Sequence, residues 1–207
     1  MSEPPLHVLA VVGSLNKDSV TRVAVNHAAS ALSRRGCAVD LWDLLHEPLA
    51  LYNPDSAHQA ANYRRLRTRV QRADVYVLGT PDYHGSISSA MKNFLDHFWH
   101  EFAGKLFATI VASHEKGLTV TDQLRTVARQ CYAWSLPYGV AVVEGKDIQD
   151  GQIVGQTFKH RLEMFVRDTR LYGALLARQR RIDLAGTDPG FMARIRKILN
   201  KEKDSDL

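Results

Sequence analysis

The chain has 207 residues, 45% of them hydrophobic and 24% charged, a balance that excludes a disordered chain or a charge-rich coiled coil. A chain of this length buries roughly 70% of the surface that its unfolded form exposes, so one core needs neither disulfide nor metal to hold it. The net charge of +5 is unevenly placed: residues 1–158 carry 15 basic and 15 acidic side chains, residues 159–207 carry 12 and 7. That basic segment has acids mixed through it and no nucleic-acid motif, and reads as a solvated helix face or a subunit contact. Two cysteines, Cys37 and Cys131, make no disulfide framework, and their apolar neighbours predict buried free thiols in a reducing compartment. The residues from Met1 to Pro5 lack a basic stretch followed by an apolar one, and no window approaches about 18 unbroken apolar residues. A soluble cytoplasmic protein is expected, with neither membrane nor nucleic acid as partner.

In chain order, short β-branched runs alternate with amphipathic ones, the pattern of β-α units on a parallel sheet. His7 to Val12 reads as a strand buried on both faces, ending at Gly13-Ser14. Ser19 to Arg35 is helical, with Val20, Val23, Ala24, Ala28, Ala31 and Leu32 on one side and Gly36 as the stop. Cys37 to Leu44 alternates as an outer strand. After a loop around Pro48 and Pro54, His58 to Arg72 reads as a helix whose five arginines form a solvated face. Asp74 to Gly79 is the third strand and Ser88 to Phe102 the next helix, with Met91, Phe94, Leu95 and Phe98 at core spacing. Lys105 to Ala112 is a fourth strand, Thr121 to Tyr132 a helix, and Gly139 to Val143 a fifth strand. A long helix from Gln156 to Arg181 then leaves a polar tail. Five strands with intervening helices predict a doubly wound α/β sheet, whose ligand site lies beyond the C-terminal strand ends at the topological switch point.

Three loops at that edge carry chemistry. Gly13 to Arg22 fails both the Walker A and the G-x-G-x-x-G patterns, but offers the hydroxyls of Ser14, Ser19 and Thr21 and free amides at a helix start, a neutral cradle for a phosphate. The plain alternative is that Ser14 caps a turn and Asp18 or Ser19 caps the helix. Thr80 to Ser88 carries Pro81, Tyr83, His84 and Gly85, and suits a flat, polar-rimmed heterocycle or else an ordinary turn. Ser113-His114-Glu115-Lys116-Gly117 places a cation and a glycine at the same rim. His97 and His100, with Glu101, share a helix face but lack a third ligand, so no metal is assigned. Neither Ser14 nor Ser86 sits in a G-x-S-x-G elbow, so no hydrolytic nucleophile is assigned.

Gly13-Ser14-x-x-x-x-Ser19, then Pro81-x-Tyr83-x-Gly85-Ser86 and Met91-Lys92-Asn93-Phe94-Leu95-Asp96, resemble the NADPH-dependent FMN reductase family over about residues 6–145. The resemblance implies a flavodoxin-like fold, strand order 2-1-3-4-5, with residues 1–150 as the FMN-binding unit and 151–207 as a helical extension packed on it or on a partner subunit. It implies an FMN-dependent NAD(P)H oxidoreductase acting on a quinone, azo compound, metal oxyanion or flavin, as a homodimer or homotetramer with Asp96 near the contact. Carried over residue by residue, Ser14, Asn16, Ser19, Val20 and Thr21 would hold the FMN phosphate. Pro81, Asp82, Tyr83, His84 and Gly85 would line the isoalloxazine, and Ser113, Lys116 and Gly117 would border its pyrimidine edge. The chain departs from the family at Asn16, commonly arginine, and at His114-Glu115-Lys116, commonly a small glycine-rich loop. Hydride would pass from NADPH to flavin N5 and then to the acceptor over the same face in ping-pong order, with Lys116 stabilising charge at N1 and O2. Two other readings stand beside this one: a flavodoxin-like electron carrier, usually acidic whereas this chain has a pI near 9.3, and a flavin-binding interaction protein without its own substrate.

Overall fold

The computed structural model describes residues 4–59 and 61–205. The core is a parallel sheet in the order β2-β1-β3-β4, formed by β1 (His7–Val12), β2 (Ala38–Asp43), β3 (Val75–Pro81) and β4 (Leu106–Ala112). The expected order 2-1-3-4-5 holds, but the fifth position is shared by two short strands. β5 (Trp134–Ser135) pairs Leu106 and Phe107, and β6 (Val140–Val142) pairs Ile110 to Ala112. Pro137 between them has no amide to continue a ladder. A β-carbon on Gly139 would stand 2.8 Å from Thr109 Oγ1, so the chain comes close to β4 without pairing there.

β1 and β3 are apolar on both faces because helices cover both. On one side α1 (Val20–Arg34) and α5 (Gln156–Ala185) bury Ala24, Val25, Ala28, Leu32, Phe158, Leu162 and Phe165 against Val8, Ala10 and Val77. On the other, α2 (Ala61–Arg72), α3 (Ser89–Asp96) and α4 (Leu118–Gln130) pack Leu66, Val70, Met91, Phe94 and Leu124 onto Leu9, Val11, Tyr76 and Leu78. Gly13 and Gly79 adjoin where the exits of β1 and β3 meet. Gly13 N–H donates to Gly79 O at 2.7 Å, and a β-carbon on Gly79 would lie 2.2 Å from Val25 Cγ2.

Several expected boundaries shift for physical reasons. The helix expected to reach Phe102 ends at Asp96; Trp99 is out of helical geometry at φ −138°, and a 3-10 turn (His100–Phe102) still brings Phe102 into the core. The polar tail is instead a second helix, α6 (Met192–Ser205), whose Met192, Ile195, Ile198 and Leu199 recur at helical spacing and pack with Ala103 and Leu184. The arginines of α2 are not merely solvated. Arg65 and Arg69 each stand 5.1 Å from the ring centroid of buried Trp42, and Arg67 and Arg72 pair with Glu101 and Asp40. A small hairpin, β7 (Ile148–Gln149) and β8 (Gln152–Ile153), turns at Asp150-Gly151 with both residues at positive φ, the pattern of a type I′ turn. Both cysteines are free and buried, and burial pushes the Cys131 thiol up to about 11.

At the N-terminal ends of the strands Lys105 is fully buried. Its ammonium donates to Val70 O and Gln71 O, each at 2.8 Å, and to Tyr76 Oη at 3.2 Å, which caps the C-terminus of α2. Burial pushes this amine well below its ordinary range. No helix of the described residues is long and apolar enough to cross a membrane.

Candidate functional site

The loop between β1 and α1 is built around a helix start. Ser19 is the N-cap of α1, and its hydroxyl accepts from Arg22 N–H. The Ser14 hydroxyl accepts from Asn16 N–H, and Asn16 Oδ1 accepts from Asp18 N–H. The plain capping roles foreseen for Ser14 and Ser19 are therefore real, yet they leave much of the loop's donor capacity unused. Among the described residues, the amides of Ser19, Val20 and Thr21 have no acceptor, and the first turn of α1 holds no acid. The Thr21 hydroxyl oxygen is buried without a partner.

The loop after β3 is a tight turn. Tyr83 and Ser86 exchange backbone hydrogen bonds while His84 (φ 57°) and Gly85 (φ 76°) occupy the left-handed region, again a type I′ arrangement. Tyr83 is not packed on the sheet; it is 52% exposed. Asp82 braces this loop rather than offering a free carboxylate. Its Oδ1 accepts from Gly85 N–H at 2.8 Å, and its Oδ2 accepts from Ser113 Oγ at 2.9 Å, which ties the second loop to the third. The third loop ends at Gly117, whose φ of 59° starts α4; a β-carbon there would stand 2.7 Å from Val111 Cγ1.

These three loops enclose two adjoining cavities. The first, about 150 Å³, is lined by Ser14, Asn16, Ser19, Val20, Thr21, Pro81, Asp82, Tyr83 and Ser113, among others. The second, about 870 Å³, is lined by Asp82, His84, Gly85, Ser113, Lys116 and Gly117 with their neighbours. Asp82, Ser113 and His114 belong to both, so the two form one groove along the C-terminal strand edge. Every residue that the sequence assigns to the cofactor lies on it. Lys116 is exposed there and makes no hydrogen bond or ion pair among the described residues.

Other contributors were not foreseen. Val142 and Glu144 close the first cavity from β6 and the turn after it. Gln123 of α4 clamps the second loop: its Oε1 accepts from Ser86 Oγ and Ile87 N–H, and its Nε2 donates to Gly85 O. Ser88 donates to Gly13 O at 2.6 Å and caps α3 through Met91 N–H, joining the first and second loops. Asn93 holds the excursion after β2, donating to Ala50 O and accepting from Tyr52 N–H. His97 packs against Tyr52, its Nδ1 2.7 Å from Asn93 O, and among the described residues no three metal-ligating side chains gather.

Free amides, two hydroxyls and an orphaned buried hydroxyl at the start of a helix whose first turn holds no acid are the donor set that a phosphate monoester requires. The adjoining turn of backbone and aromatic edge suits a flat ring.

Known proteins agree with this chemistry. The family model described as NADPH-dependent FMN reductase matches residues 6–147. An NADPH azoreductase of Bacillus sp. (strain OY1-2) is 29% identical over 171 residues, spanning 81% of this chain and 92% of that protein. An FMN-dependent NADPH-azoreductase of Staphylococcus saprophyticus subsp. saprophyticus is 27% identical over 171 residues, spanning 76% and 90%. In fold, the chain is similar to an NADH:FMN oxidoreductase (EMOB) in its apo form, with a TM-score of 0.67 at 17% identity over 81% of this chain and 89% of that one. It is also similar to RosB crystallised with a formylated riboflavin phosphate intermediate, with a TM-score of 0.68 at 14% identity over 96% and 87%. With the match running from the first strand through the last loop of the groove, the chain belongs to the NADPH-dependent FMN reductase family, oxidoreductases that use FMN and draw on NADPH.

Proposed function

We propose that the groove holds FMN with its phosphate at the α1 end and its ring system along the second and third loops, and that small acceptors are reduced at the exposed face. The observation that carries this reading is the continuity of the two cavities through Asp82, Ser113 and His114. The amides of Ser19, Val20 and Thr21 and the hydroxyls of Ser14, Ser19 and Thr21 would take the phosphate, with Asn16 at its rim. Pro81 to Gly85 would fix the plane of the ring, and Ser113, Lys116 and Gly117 would border its polar edge. When bound, FMN supplies the hydride-transfer chemistry, so no side-chain nucleophile is required of the chain. Lys116 places an uncompensated cation where it can stabilise negative charge on the ring edge. Tyr83, 52% exposed, stands beside the opening through which reductant and acceptor reach the same face.

One opening serving both substrates gives alternating occupancy, and hence ping-pong kinetics. Residues 1–150 form the cofactor unit in this reading, and residues 151–207 a helical extension that also serves subunit contact in a homodimer or homotetramer. Azo dyes are the first acceptors to try, ahead of quinones, metal oxyanions and free flavin, a choice supported by the azoreductase names of the relatives. The test is steady-state kinetics of the FMN-loaded enzyme with NADPH, NADH and an acceptor panel. Parallel double-reciprocal lines and turnover of an azo dye are expected; converging lines refute the alternating order, and a flavin that NADPH does not bleach refutes the reductase activity.

A further inference from the structure

The guanidinium of Arg22 lies behind the first loop and not in the groove. It is absent from the residues lining the first cavity, although its neighbours Ser19, Val20 and Thr21 are there. Its Nε donates to Asp43 Oδ2 at 2.5 Å and its Nη2 to Asp43 Oδ1 at 3.3 Å, at the C-terminal end of β2. The remaining donors reach three carbonyls of one loop: Ser14 O at 3.1 Å, Asn16 O at 2.6 Å and Lys17 O at 2.9 Å. The pair is largely enclosed, with side-chain exposures of 14% and 11%.

This arrangement has an electrostatic consequence. An anion cradle fails if peptide carbonyls turn towards the anion, because their oxygens carry partial negative charge. Here the carbonyls of Ser14, Asn16 and Lys17 are committed to Arg22. The peptide bonds are trans, and in a planar trans unit the N–H points opposite to the C=O. The amides of Leu15 and Lys17 therefore face away from the guanidinium, as does that of Asp18, which is already given to Asn16 Oδ1. A fork of five donors is what allows one side chain to bind a carboxylate and three carbonyls together, which an ammonium cannot do.

Resting on the phosphate placement proposed above, we infer that Arg22 is a positioning residue for cofactor recognition. Anchored by Asp43, it holds the first loop in the orientation that receives a phosphate, without touching the phosphate itself.

The experiment compares FMN with riboflavin, which lacks the phosphate, by fluorescence titration of the flavin-depleted full-length protein. In R22M the FMN dissociation constant is expected to rise at least about tenfold while that of riboflavin stays unchanged. R22K is expected to fall between R22M and the natural protein, and D43N to reproduce the FMN-selective loss. A merely structural role would weaken both flavins together, and that result overturns the inference; so does FMN affinity unchanged in R22M. Should R22M fail to fold, the same comparison in D43N and R22K decides. A natural protein that binds FMN and riboflavin alike overturns the phosphate placement and this inference with it. Discrimination present in the natural protein and undiminished in R22M overturns this inference alone.

Discussion

Thr21→Val isolates the contribution of one atom to cofactor binding. Thr21 is 1% exposed in the first turn of α1, and its hydroxyl has no partner within the protein. A buried hydroxyl left unsatisfied costs about 1–3 kcal/mol. Valine replaces it with a methyl of similar shape at a helix position where threonine and valine have comparable propensity. The flavin-free variant should therefore gain about 1 kcal/mol, which for a chain of this size raises the melting temperature by roughly 2–4 °C. FMN binding should move the other way. A hydrogen bond to a charged phosphate is worth about 1.5–3 kcal/mol, so the dissociation constant should rise roughly tenfold to hundredfold. Calorimetric melting of the flavin-free protein and fluorescence titration with FMN measure the two effects separately. A variant that melts lower with FMN affinity intact would refute the reasoning, since the hydroxyl would then be serving the fold and not the ligand.

Three further predictions concern neighbouring features. Lys116→Met should slow NADPH bleaching of the bound flavin by about tenfold in stopped flow; an unchanged rate removes the lysine from the reaction. Gly79→Ala should cost about 1–3 kcal/mol through overpacking, because the new carbon meets Val25 Cγ2 at 2.2 Å. The double variant Gly79→Ala with Val25→Ala should recover part of that loss in urea unfolding, and the absence of any recovery would place the strain elsewhere. Asp43 sets an acid limit. Burial alone would raise its carboxyl, but hydrogen bonds from Arg22 and Leu45 N–H and the adjacent positive charges hold it below the ordinary 3.8. The unfolded state then binds more protons than the folded one between the two values, so the carboxylate's contribution is complete above the ordinary value and lost as pH falls through the lowered one. The urea midpoint of the natural protein should fall faster than that of Asp43→Asn as pH drops from about 5 to 3; parallel curves would contradict this linkage.

Much of the architecture was legible because buried parallel strands advertise themselves. His7 to Val12, Asp74 to Gly79 and Lys105 to Ala112 have few polar interruptions, and each leads into a loop of hydroxyls, glycine or charge. Placing those loops at one sheet edge follows from right-handed crossovers, and so the groove residues could be named from the chain. What escaped notice depends on distant partners. Asp82 looks like a free carboxylate until Ser113, thirty-one positions later, is found donating to it. Gln123 and Arg22 sit on helices whose periodicity says only that they are polar, while their roles come from which loop each helix faces. The split of the fifth strand turns on Pro137 and the crowding of Gly139 against Thr109 and Thr121. α6 was hidden because its four apolar residues are thinly spaced among lysines and arginines. The α2 arginines passed as solvated because nothing local reveals that Trp42 lies beneath two of them.

The buried ammonium of Lys105 closes the pole of the sheet opposite the groove, and this divides labour within the molecule. At that end the main-chain oxygens of Val70 and Gln71 are already committed to Lys105, and loss of these bonds is felt as lost stability. At the other end amides and a hydroxyl are left wanting, and changes there are felt as altered ligand preference. Because the two ends are separated by the length of the strands, their effects should add independently. A lineage of such chains can then remodel its choice of electron acceptor without renegotiating how the sheet and its two helical layers stand up.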